Sequence, residues 1–349
     1  MEKIINVALC SFGMSGKVFH APFLLQNPNF NITKILERSK NNSAAIVPNA
    51  RIVRNYQEIF EDPEIGLVVV NTPNFLHFDM AKQALEHGKH VVLEKPFTNT
   101  VDEGVKLIKL AKQKKRVLSV YHNRRFDSGH KTVKEILDKK LLGKLKIFEA
   151  HMDRFRPELG AKKWKETKKP GAGILYDLGS HLIDEALSLF GMPDSIYADL
   201  QIQRKNAKVH DYFNIKLTYH SHTVELKAGM LIREPGPKYL LHGDSGSYIK
   251  YGNDPQEEQL INGVFPDSEN YGIEKKSNWG ILNNEDGRGV YQTLSGNYKD
   301  FYENIYQAIK YEKELIVKPE EALNVISIIE KAIISDREKR IVFLDKIYN

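Results

Sequence analysis

Two stretches of the chain carry side chains suited to acid–base or charge-stabilising chemistry. The first is Glu94-Lys95-Pro96, which follows the short apolar run at residues 91–93. Such a run is typical of a buried strand in a parallel sheet, and open α/β sheets bind ligands at the carboxyl ends of their strands. Because Pro96 restricts the preceding residue to extended backbone, Lys95 is expected to be held over a crevice. The alternative is that Glu94 and Lys95 merely end a strand in water.

The second stretch, residues 174–190, is apolar, ends before Gly191 and predicts one continuous helix. Asp177, His181 and Asp184 recur at i, i+4 and i+7, so they are expected to share one helix face. Burying such a polar stripe is costly unless it is satisfied or used. Three interpretations stay open, namely a satisfied His–Asp pair, a metal site and general acid–base catalysis. Since no further His or Cys stands at ligand spacing, a metal is not expected.

A dinucleotide-binding turn is predicted near the start of the chain. An apolar strand at residues 4–9 precedes a glycine-containing turn, and a helix is expected from Lys17. This is the position of the G-x-G-x-x-G fingerprint, with Ser11 in place of the first glycine. Gly13 allows close approach of a pyrophosphate, and Gly16 allows the helix to pack near the strand. The predicted cofactor residues here are Phe12, Gly13, Met14, Ser15 and Gly16.

The residues after the second predicted strand, at 31–36, support two different cofactors. Glu37 lies where an acidic residue binds the ribose hydroxyls of NAD, whereas Arg38 and Lys40 suit the 2′-phosphate of NADP. A third strand at 67–70 ends in another polar turn. His77 opens the next helix, where capping or packing is its simplest role. The further residues predicted at the cofactor crevice are Thr72, Pro73, Asn74, His77, Glu94 and Lys95.

The elements that position these residues change character after Asp127. Up to that point strands alternate with helices, which predicts a doubly wound parallel sheet. One of these helices is expected to start at Thr100, because Thr100 and Glu103 have the spacing of a capping box, and to run through Lys115. Beyond it, alternating runs at 145–151, 195–203, 212–219, 223–231 and 239–242 predict mainly antiparallel strands, with helices at 131–140, 298–311 and 319–339. Residues 251–295 are polar and rich in Gly and Asn, which suggests a loop or lid. The predicted domains are residues 1–122, a Rossmann domain, and residues 123–349, an α+β domain for substrate binding and oligomerisation.

Composition narrows the class of protein. The chain has 349 residues, of which 41% are hydrophobic and 28% charged, as in ordinary globular proteins. No apolar run approaches the roughly 18 residues that a membrane helix needs, and the N-terminus is expected to be a strand and not a signal peptide. The single cysteine, Cys10, favours the cytoplasm. The net charge is +6, but basic and acidic residues are interspersed, so no nucleic-acid partner is expected.

Taken together, these motifs resemble the glucose–fructose oxidoreductase and inositol dehydrogenase family (Gfo/Idh/MocA) over essentially the whole chain. The resemblance rests on the glycine turn, Thr72-Pro73, Glu94-Lys95-Pro96 and Gly173-x-x-x-Asp177-x-Gly179-x-His181. Residues 14–22, 122–125 and 176–182 resemble a narrower branch that includes NADP-dependent scyllo-inositol dehydrogenases. The resemblance implies a Rossmann domain and a domain with a large open antiparallel sheet, which in this family often mediates dimers or tetramers.

The resemblance also implies roles for single residues. Lys95 resembles the active-site lysine of the family, and Asp177 and His181 resemble its catalytic pair. Imidazole suits the removal of a hydroxyl proton near neutral pH, and an ammonium group suits stabilisation of the oxygen's developing charge. NADP is the expected cofactor, with NAD as the alternative. Weaker predictions for substrate contacts are Asn123, Arg124, Asp153, Arg154, Arg156 and Trp164.

Three functions are consistent with these patterns. The leading one is an NADP-dependent oxidoreductase acting on a secondary alcohol or ketone of a cyclic polyol or sugar. The others are a non-catalytic sensor that binds dinucleotide or sugar, and a redox-assisted glycosidase, because fold alone does not decide function. The expected partners are a small polyol or sugar substrate and further copies of the chain in a homodimer or homotetramer, with no membrane or nucleic acid.

Overall fold

The computed structural model describes residues 4–160 and 163–344, which form two compact units. Unit 1 contains the described residues of Met1–Phe126, Pro255–Gly272 and Asn297–Leu323. Unit 2 contains those of Asp127–Asp254, Ile273–Gly296 and Asn324–Asn349. Both units are therefore discontinuous in sequence. The domain boundary expected at residue 122 stays a prediction.

The strands belong to two sheets. In chain order they are β1 (Ile5–Leu9), β2 (Phe30–Leu36), β3 (Arg51–Val53), β4 (Leu67–Val70), β5 (His90–Leu93), β6 (Leu118–Val120), β7 (Leu145–His151), β8 (Ser195–Gln201), β9 (Tyr212–Thr218), β10 (Thr223–Gly229), β11 (Tyr239–Gly243), β12 (Gly246–Lys250), β13 (Gly280–Asn284), β14 (Gly287–Tyr291) and β15 (Val342–Phe343).

The helices are α1 (Ala21–Gln26), α2 (Gln57–Phe60), α3 (His77–Glu86), α4 (Val101–Lys114), α5 (Ser128–Asp138), α6 (Ser180–Phe190), α7 (Gln256–Ile261), α8 (Lys299–Tyr311) and α9 (Pro319–Glu338). Two short segments have the wider i→i+5 hydrogen bonding of a π-helix. The first π segment is Ser15–His20 and the second is Leu175–Gly179. Single 3₁₀ turns occur at Asn42–Ala45, Asn74–Leu76, Asn123–Phe126, Lys163–Lys165 and Lys276–Asn278.

The sheet of unit 1 has six strands in the order β3-β2-β1-β4-β5-β6, and every neighbouring pair is parallel. The predicted doubly wound parallel sheet is confirmed. The strand order reverses beside β1, so the carboxyl ends of β1 and β4 flank the crevice where such sheets bind ligands. Strand β4 is buried along its whole length, which explains why its sequence is a continuous apolar run.

Helix α4 shows how local sequence fixes an element boundary. Thr100 accepts a hydrogen bond from the backbone N–H of Glu103 at 3.3 Å through its hydroxyl oxygen. The Glu103 carboxylate in turn accepts the backbone N–H of Asn99 at 3.0 Å. These contacts give hydrogen-bond acceptors to one amide group in the first turn of the helix and to the amide group of the residue before the cap. The helix start predicted at residue 100 is confirmed.

The sheet of unit 2 is mixed and has nine strands in the order β14-β13-β12-β11-β7-β10-β9-β8-β15. All neighbouring pairs are antiparallel except β7 and β10. The expectation of a large open sheet in an α+β arrangement is confirmed, with this one parallel pair added.

The interpretation of residues 251–295 as a loop or lid is wrong for much of its length. The segment contains helix α7 and the hairpin of β13 and β14, which extends the sheet of unit 2. The hairpin escaped prediction because β14 is an edge strand that is exposed on both faces over most of its length. It therefore lacks the alternation of buried and exposed residues that identifies a strand in a sequence.

The expectation of one regular helix over residues 174–190 is also wrong. The second π segment precedes α6, so the α-helical spacing does not hold between Asp177 and His181. Similarly, the helix expected from Lys17 begins as the first π segment and becomes α-helical only at Ala21. None of the helices within residues 4–160 and 163–344 is long and apolar enough to cross a membrane.

Candidate active site

The glycine turn of unit 1 is fixed by a pair of polar residues at the ends of β1 and β4. The backbone N–H of Ser11 donates to Asn71 Oδ1 at 2.9 Å, and Asn71 Nδ2 donates to the carbonyl of Ser11 at 2.9 Å. The Ser11 hydroxyl donates to the carbonyl of Asn71 at 2.7 Å. Ser11 therefore contributes a side-chain hydrogen bond that a glycine at this position would lack.

The two glycines of the turn have different surroundings. A Cβ atom on Gly16 would lie 2.5 Å from the carbonyl oxygen of Ser11, so only glycine fits. A Cβ atom on Gly13 would have nothing within 4 Å. This open space beside Gly13, next to the start of a helical segment, fits the pyrophosphate of a dinucleotide. Met14 is exposed and Phe12 is buried beneath the turn.

Ser15 and His20 stand at the two ends of the first π segment, and both contact Glu94. The Ser15 hydroxyl donates to Glu94 Oε1, and His20 Nε2 lies 3.0 Å from the same oxygen. The i→i+5 bonding brings residues five apart onto one face of the segment. The sequence did not indicate this contact, because it depends on a helical period that hydrophobic patterns do not encode.

Glu94 is an anion beside the backbone of Lys95. Burial raises the pKa of Glu94, but the hydrogen bond from His20 and its electrostatic attraction, the Ser15 hydroxyl and the charge of Lys95 together lower it to about 2. The other carboxylate oxygen accepts the backbone N–H of Lys95 at 3.1 Å. The predicted residues Ser15, Glu94 and Lys95 are therefore brought together at the end of β5.

His77 links two of the turns in which cofactor residues were predicted. Its Nδ1 lies 2.9 Å from the carbonyl oxygen of Pro96, and its Nε2 lies 3.0 Å from that of Thr72. The ring is only 1% exposed, and burial lowers its pKa despite these carbonyl contacts. This position matches the packing role that was the simplest expectation. Pro73 and Asn74 lie in the turn that His77 supports.

The carboxylate of Glu37 accepts hydrogen bonds from the loop that follows it. Its carboxylate accepts the backbone N–H groups of Asn42 and Ser43 at 3.0 and 2.8 Å, and the Ser43 hydroxyl at 2.6 Å. Only 7% of Glu37 is exposed. Arg54 holds the same loop through the carbonyl of Lys40 at 2.8 Å. Arg38 and Lys40 are exposed beside this braced turn.

In unit 2 the predicted Asp177 lies in the second π segment and pairs with Lys165. The carboxylate oxygen and the ammonium nitrogen are 2.7 Å apart, and both side chains are partly exposed. His181 and Asp184 are buried at the start of α6, 6% and 1% exposed. Lys165 was not predicted as a site residue. It belongs to a basic stretch, and only the fold distinguishes it from its neighbours.

The residues predicted as weaker substrate contacts have varied surroundings. Asn123 is buried in unit 1, where Arg124 donates to the Tyr298 hydroxyl at 3.2 Å and also pairs with Glu257. In unit 2, Asp153 Oδ2 lies 3.2 Å from His151 Nδ1 and accepts a hydrogen bond from the backbone N–H of Gly236 at 3.2 Å. Arg154 and Arg156 lie on the strand-like continuation of β7, and Trp164 precedes Lys165.

These features were compared with known proteins. The family model described as "Oxidoreductase family, NAD-binding Rossmann fold" matches residues 5–122. That of the "Oxidoreductase family, C-terminal alpha/beta domain" matches residues 134–344. Two folded units, a Rossmann sheet, a glycine turn and Glu94-Lys95 at the end of β5 define an NAD(P)-binding oxidoreductase. The chain belongs to the Gfo/Idh/MocA oxidoreductase family, as its sequence motifs suggested.

Individual relatives cover nearly the whole chain. An uncharacterized oxidoreductase of Escherichia coli strain K12, YdgJ, is 40% identical over 97% of this chain and 98% of its own. The scyllo-inositol 2-dehydrogenase (NADP⁺) IolW of Bacillus subtilis strain 168 is 38% identical over 98% of this chain and 96% of its own. A crystal structure of a Bacteroides fragilis protein superposes with a TM-score of 0.90 at 47% identity, covering 98% and 100% of the two chains.

Proposed function

We propose that the protein is an NADP-dependent dehydrogenase of a cyclic polyol or sugar, with scyllo-inositol as the first substrate to test. The observation that carries this proposal is the full-length similarity to IolW, whose name gives scyllo-inositol and NADP⁺. When bound, the nicotinamide would exchange a hydride with a secondary alcohol or ketone. The remaining chemistry falls to the side chains of this chain.

The proposal assigns three of these side chains to the reaction. The His181 imidazole takes the hydroxyl proton during oxidation and returns it during reduction. The Lys95 ammonium stabilises negative charge on the reacting oxygen. Asp177 hydrogen-bonds a substrate hydroxyl or orients His181. The ion pair of Asp177 with Lys165 supports a charged Asp177, which acts as a hydrogen-bond acceptor.

The choice of NADP over NAD is supported by the loop after β2. A carboxylate that binds ribose hydroxyls needs oxygens with acceptor capacity, and Glu37 already accepts three hydrogen bonds within its loop. Arg38 and Lys40 are exposed at the same turn and would offer cations to a 2′-phosphate. NAD is the alternative cofactor.

We also propose a homodimer or homotetramer that associates through the open face of the unit 2 sheet. The strand register aligns four apolar residues across neighbouring strands at one end of that face, and Val290 among them is 54% exposed. The row consists of Leu240, Ile249, Ile281 and Val290. Light scattering coupled to size-exclusion chromatography measures the oligomeric state. The cytoplasmic location expected from the single cysteine stays a prediction.

The function is tested by initial rates with scyllo-inositol, myo-inositol and glucose, each with NAD and NADP, followed at the nicotinamide absorbance. Reduction of NADP by scyllo-inositol is the expected result. Turnover with none of the three, in either direction with the corresponding keto-sugars, would contradict the proposal. NADPH binding without any turnover would then favour a sensor, and release of nitrophenol from a nitrophenyl glycoside would favour a glycosidase.

A further inference from the structure

A buried chain of polar groups runs from the glycine turn of unit 1 into its aromatic core. It starts at the Ser15 hydroxyl, passes through Glu94 Oε1 and the His20 ring, and ends at the Tyr302 hydroxyl, 2.6 Å from His20 Nδ1. His20 is 0% and Tyr302 1% exposed. Neither His20 nor Tyr302 has a role in the function proposed above. Buried polar groups of this kind are costly unless they are paired, so a use for them is expected.

The hydrogen-bonding roles along this chain are determined by the anionic Glu94. A carboxylate only accepts hydrogen bonds, so His20 Nε2 donates to Glu94. In a neutral ring Nδ1 is then the acceptor, and the Tyr302 hydroxyl donates to it. Tyr302 therefore selects the ring form of His20 that donates to Glu94. Each group satisfies the next one along the chain.

The inner end of the chain lies among aromatic rings. Tyr302 packs against Phe23 and Phe30 with ring centroids 6.5 and 6.0 Å apart, and against Phe301 at 5.4 Å. Tyr121 covers the other side of His20 at 4.6 Å. A group enclosed in this way does not exchange protons readily with water. The chain is therefore suited to holding a charge in place and not to conducting protons.

We infer that His20, backed by Tyr302, is a positioning residue that fixes the Glu94 carboxylate and, through it, both the glycine turn and the backbone of Lys95. One Glu94 oxygen binds Ser15 of the turn, and the other accepts the backbone N–H of Lys95. The kinetic consequence of this inference rests on the proposed function of Lys95. Its consequence for cofactor binding rests only on the family's Rossmann unit.

The chain offers a matched set of variants. His20→Phe keeps an aromatic ring but removes both hydrogen bonds, and Tyr302→Phe removes only the hydroxyl that orients His20. Tyr121→Phe is the control, because it removes a hydroxyl from the same cluster, and that hydroxyl has no hydrogen-bond partner among the described residues. Melting temperatures of all three identify any variant that loses its fold. Tyr302→Phe is the milder change if His20→Phe does not fold.

Three quantities are measured for each variant, namely the affinity for NADPH or, if the wild type prefers it, NADH by fluorescence titration, kcat and the pH profile of kcat/KM. For His20→Phe we expect kcat to fall and the NADPH Kd to rise, each about tenfold, since small displacements of reacting groups cost this much or more. Tyr302→Phe should show the same pattern at about threefold. Tyr121→Phe should stay within twofold of the wild type.

The pH profile separates positioning from a general loss of structure. Without His20, the Glu94 carboxylate loses a hydrogen bond that stabilises its charged form, while burial still disfavours that form. The pKa of Glu94 therefore rises from about 2. The acid limb of kcat/KM should then move to higher pH in His20→Phe, whereas Tyr121→Phe should keep the wild-type profile. The charged or titratable groups around Glu94 are His20, Lys95, His77, Tyr121 and Tyr302.

One result would contradict the inference, and a different result would contradict only the proposed function. If His20→Phe and Tyr302→Phe match Tyr121→Phe in kcat, Kd and pH profile, the inference is wrong. If the wild type binds NADPH but turns over no polyol or keto-sugar, the proposed function fails, and the Kd comparison alone decides the inference. A tenfold weaker NADPH affinity in His20→Phe would still support it.

Discussion

The first and second π segments interrupt a helix in the same way, but their polar side chains have different kinds of partner. In unit 1, Ser15 and His20 both meet Glu94, a largely buried anion at the end of a central strand. In unit 2, Asp177 meets Lys165, a partly exposed residue on a connecting segment. Short π segments are often found at functional sites, where they redirect side chains. Here one redirects them toward the sheet and the other toward a loop.

This difference suggests that the surroundings of the two π segments differ in how easily they can change. The contacts of the first segment come from the end of a central strand, so we expect its backbone to move little when a dinucleotide binds. The partner of the second segment, Lys165, lies near residues 158 and 166, and Arg204 contacts both of these. That side chain donates to Glu166 at 2.9 Å, to Asp211 at 2.9 Å and to the carbonyl of Glu158 at 3.1 Å. A substrate preference would be easier to alter in this loop than in the glycine turn.

The largest expected effect comes from removing the proposed reacting group of each unit, Lys95 in unit 1 and His181 in unit 2. Lys95→Ala and His181→Ala should each lower kcat by about a hundredfold to ten-thousandfold, the usual range for general acid–base or charge-stabilising groups. In His181→Ala, the Kd of the cofactor should change by a far smaller factor than kcat. Lys106→Ala and His220→Ala, both exposed, are matched controls. Near-wild-type turnover in both active-site variants would contradict the assigned roles.

The next effect tests whether the loop of unit 2 depends on Arg204. Arg204→Met should lower the free energy of unfolding of unit 2 by about 3 kcal/mol, because it leaves Asp211 buried without its counter-charge. The side chains of Arg204 and Asp211 are 3% and 1% exposed. Both tryptophans, Trp164 and Trp279, belong to unit 2, so tryptophan fluorescence during urea unfolding reports this unit.

The control for this prediction is Arg340→Met, which removes an exposed ion pair from the same unit. It should change the unfolding free energy by about 0.5 kcal/mol or less. Equal losses from both variants would show that the loop is not anchored by the buried pair. A raised substrate KM in Arg204→Met, with an unchanged NADPH Kd, would strengthen the contrast between the two units.

How much of this molecule the sequence predicts differs between its elements. The apolar runs of β4 and β5 and the cap of α4 were predicted correctly, because burial on both faces and a Thr–Glu spacing are local signals. Both π segments were missed. Their hydrogen bonding is decided by what the side chains meet across the fold, such as Glu94 79 positions beyond Ser15. The hairpin of β13 and β14 was missed because an exposed edge strand has no hydrophobic period.

The same reasoning applies to the site residues. Ser15, Glu94 and Lys95 were predicted separately, and the structure brings them into one network. No sequence motif links His20 to Tyr302, because the two residues are 282 positions apart. Glu37 illustrates the opposite case, since its position after β2 matches a ribose-binding carboxylate. Its contacts to Asn42 and Ser43 became visible only in the fold.

A smaller effect tests the Asp177–Lys165 pair itself. Lys165→Met should raise the KM for the polyol about tenfold, since it removes a charge-assisted hydrogen bond that holds Asp177 as an acceptor. The NADPH Kd and the melting temperature should stay near the wild-type values, because partly exposed ion pairs contribute little to stability. Lys168→Met, an exposed lysine of the same stretch, is the control. A KM equal to that of the control would remove Lys165 from the site.

The smallest effect is expected at the exposed end of the proposed cofactor site. Arg38→Ala should raise the KM for NADP about fivefold and leave the KM for NAD nearly unchanged, because only NADP carries the 2′-phosphate that a guanidinium would bind. Arg51→Ala is a matched control, since Arg51 is an exposed arginine on β3 that pairs with Glu58. If Arg38→Ala affects both cofactors equally, the loop braced by Glu37 does not select NADP. The proposed contrast between a rigid cofactor site in unit 1 and an adjustable loop in unit 2 would then apply to the glycine turn. It would not extend to the loop after β2 that was expected to select the nucleotide.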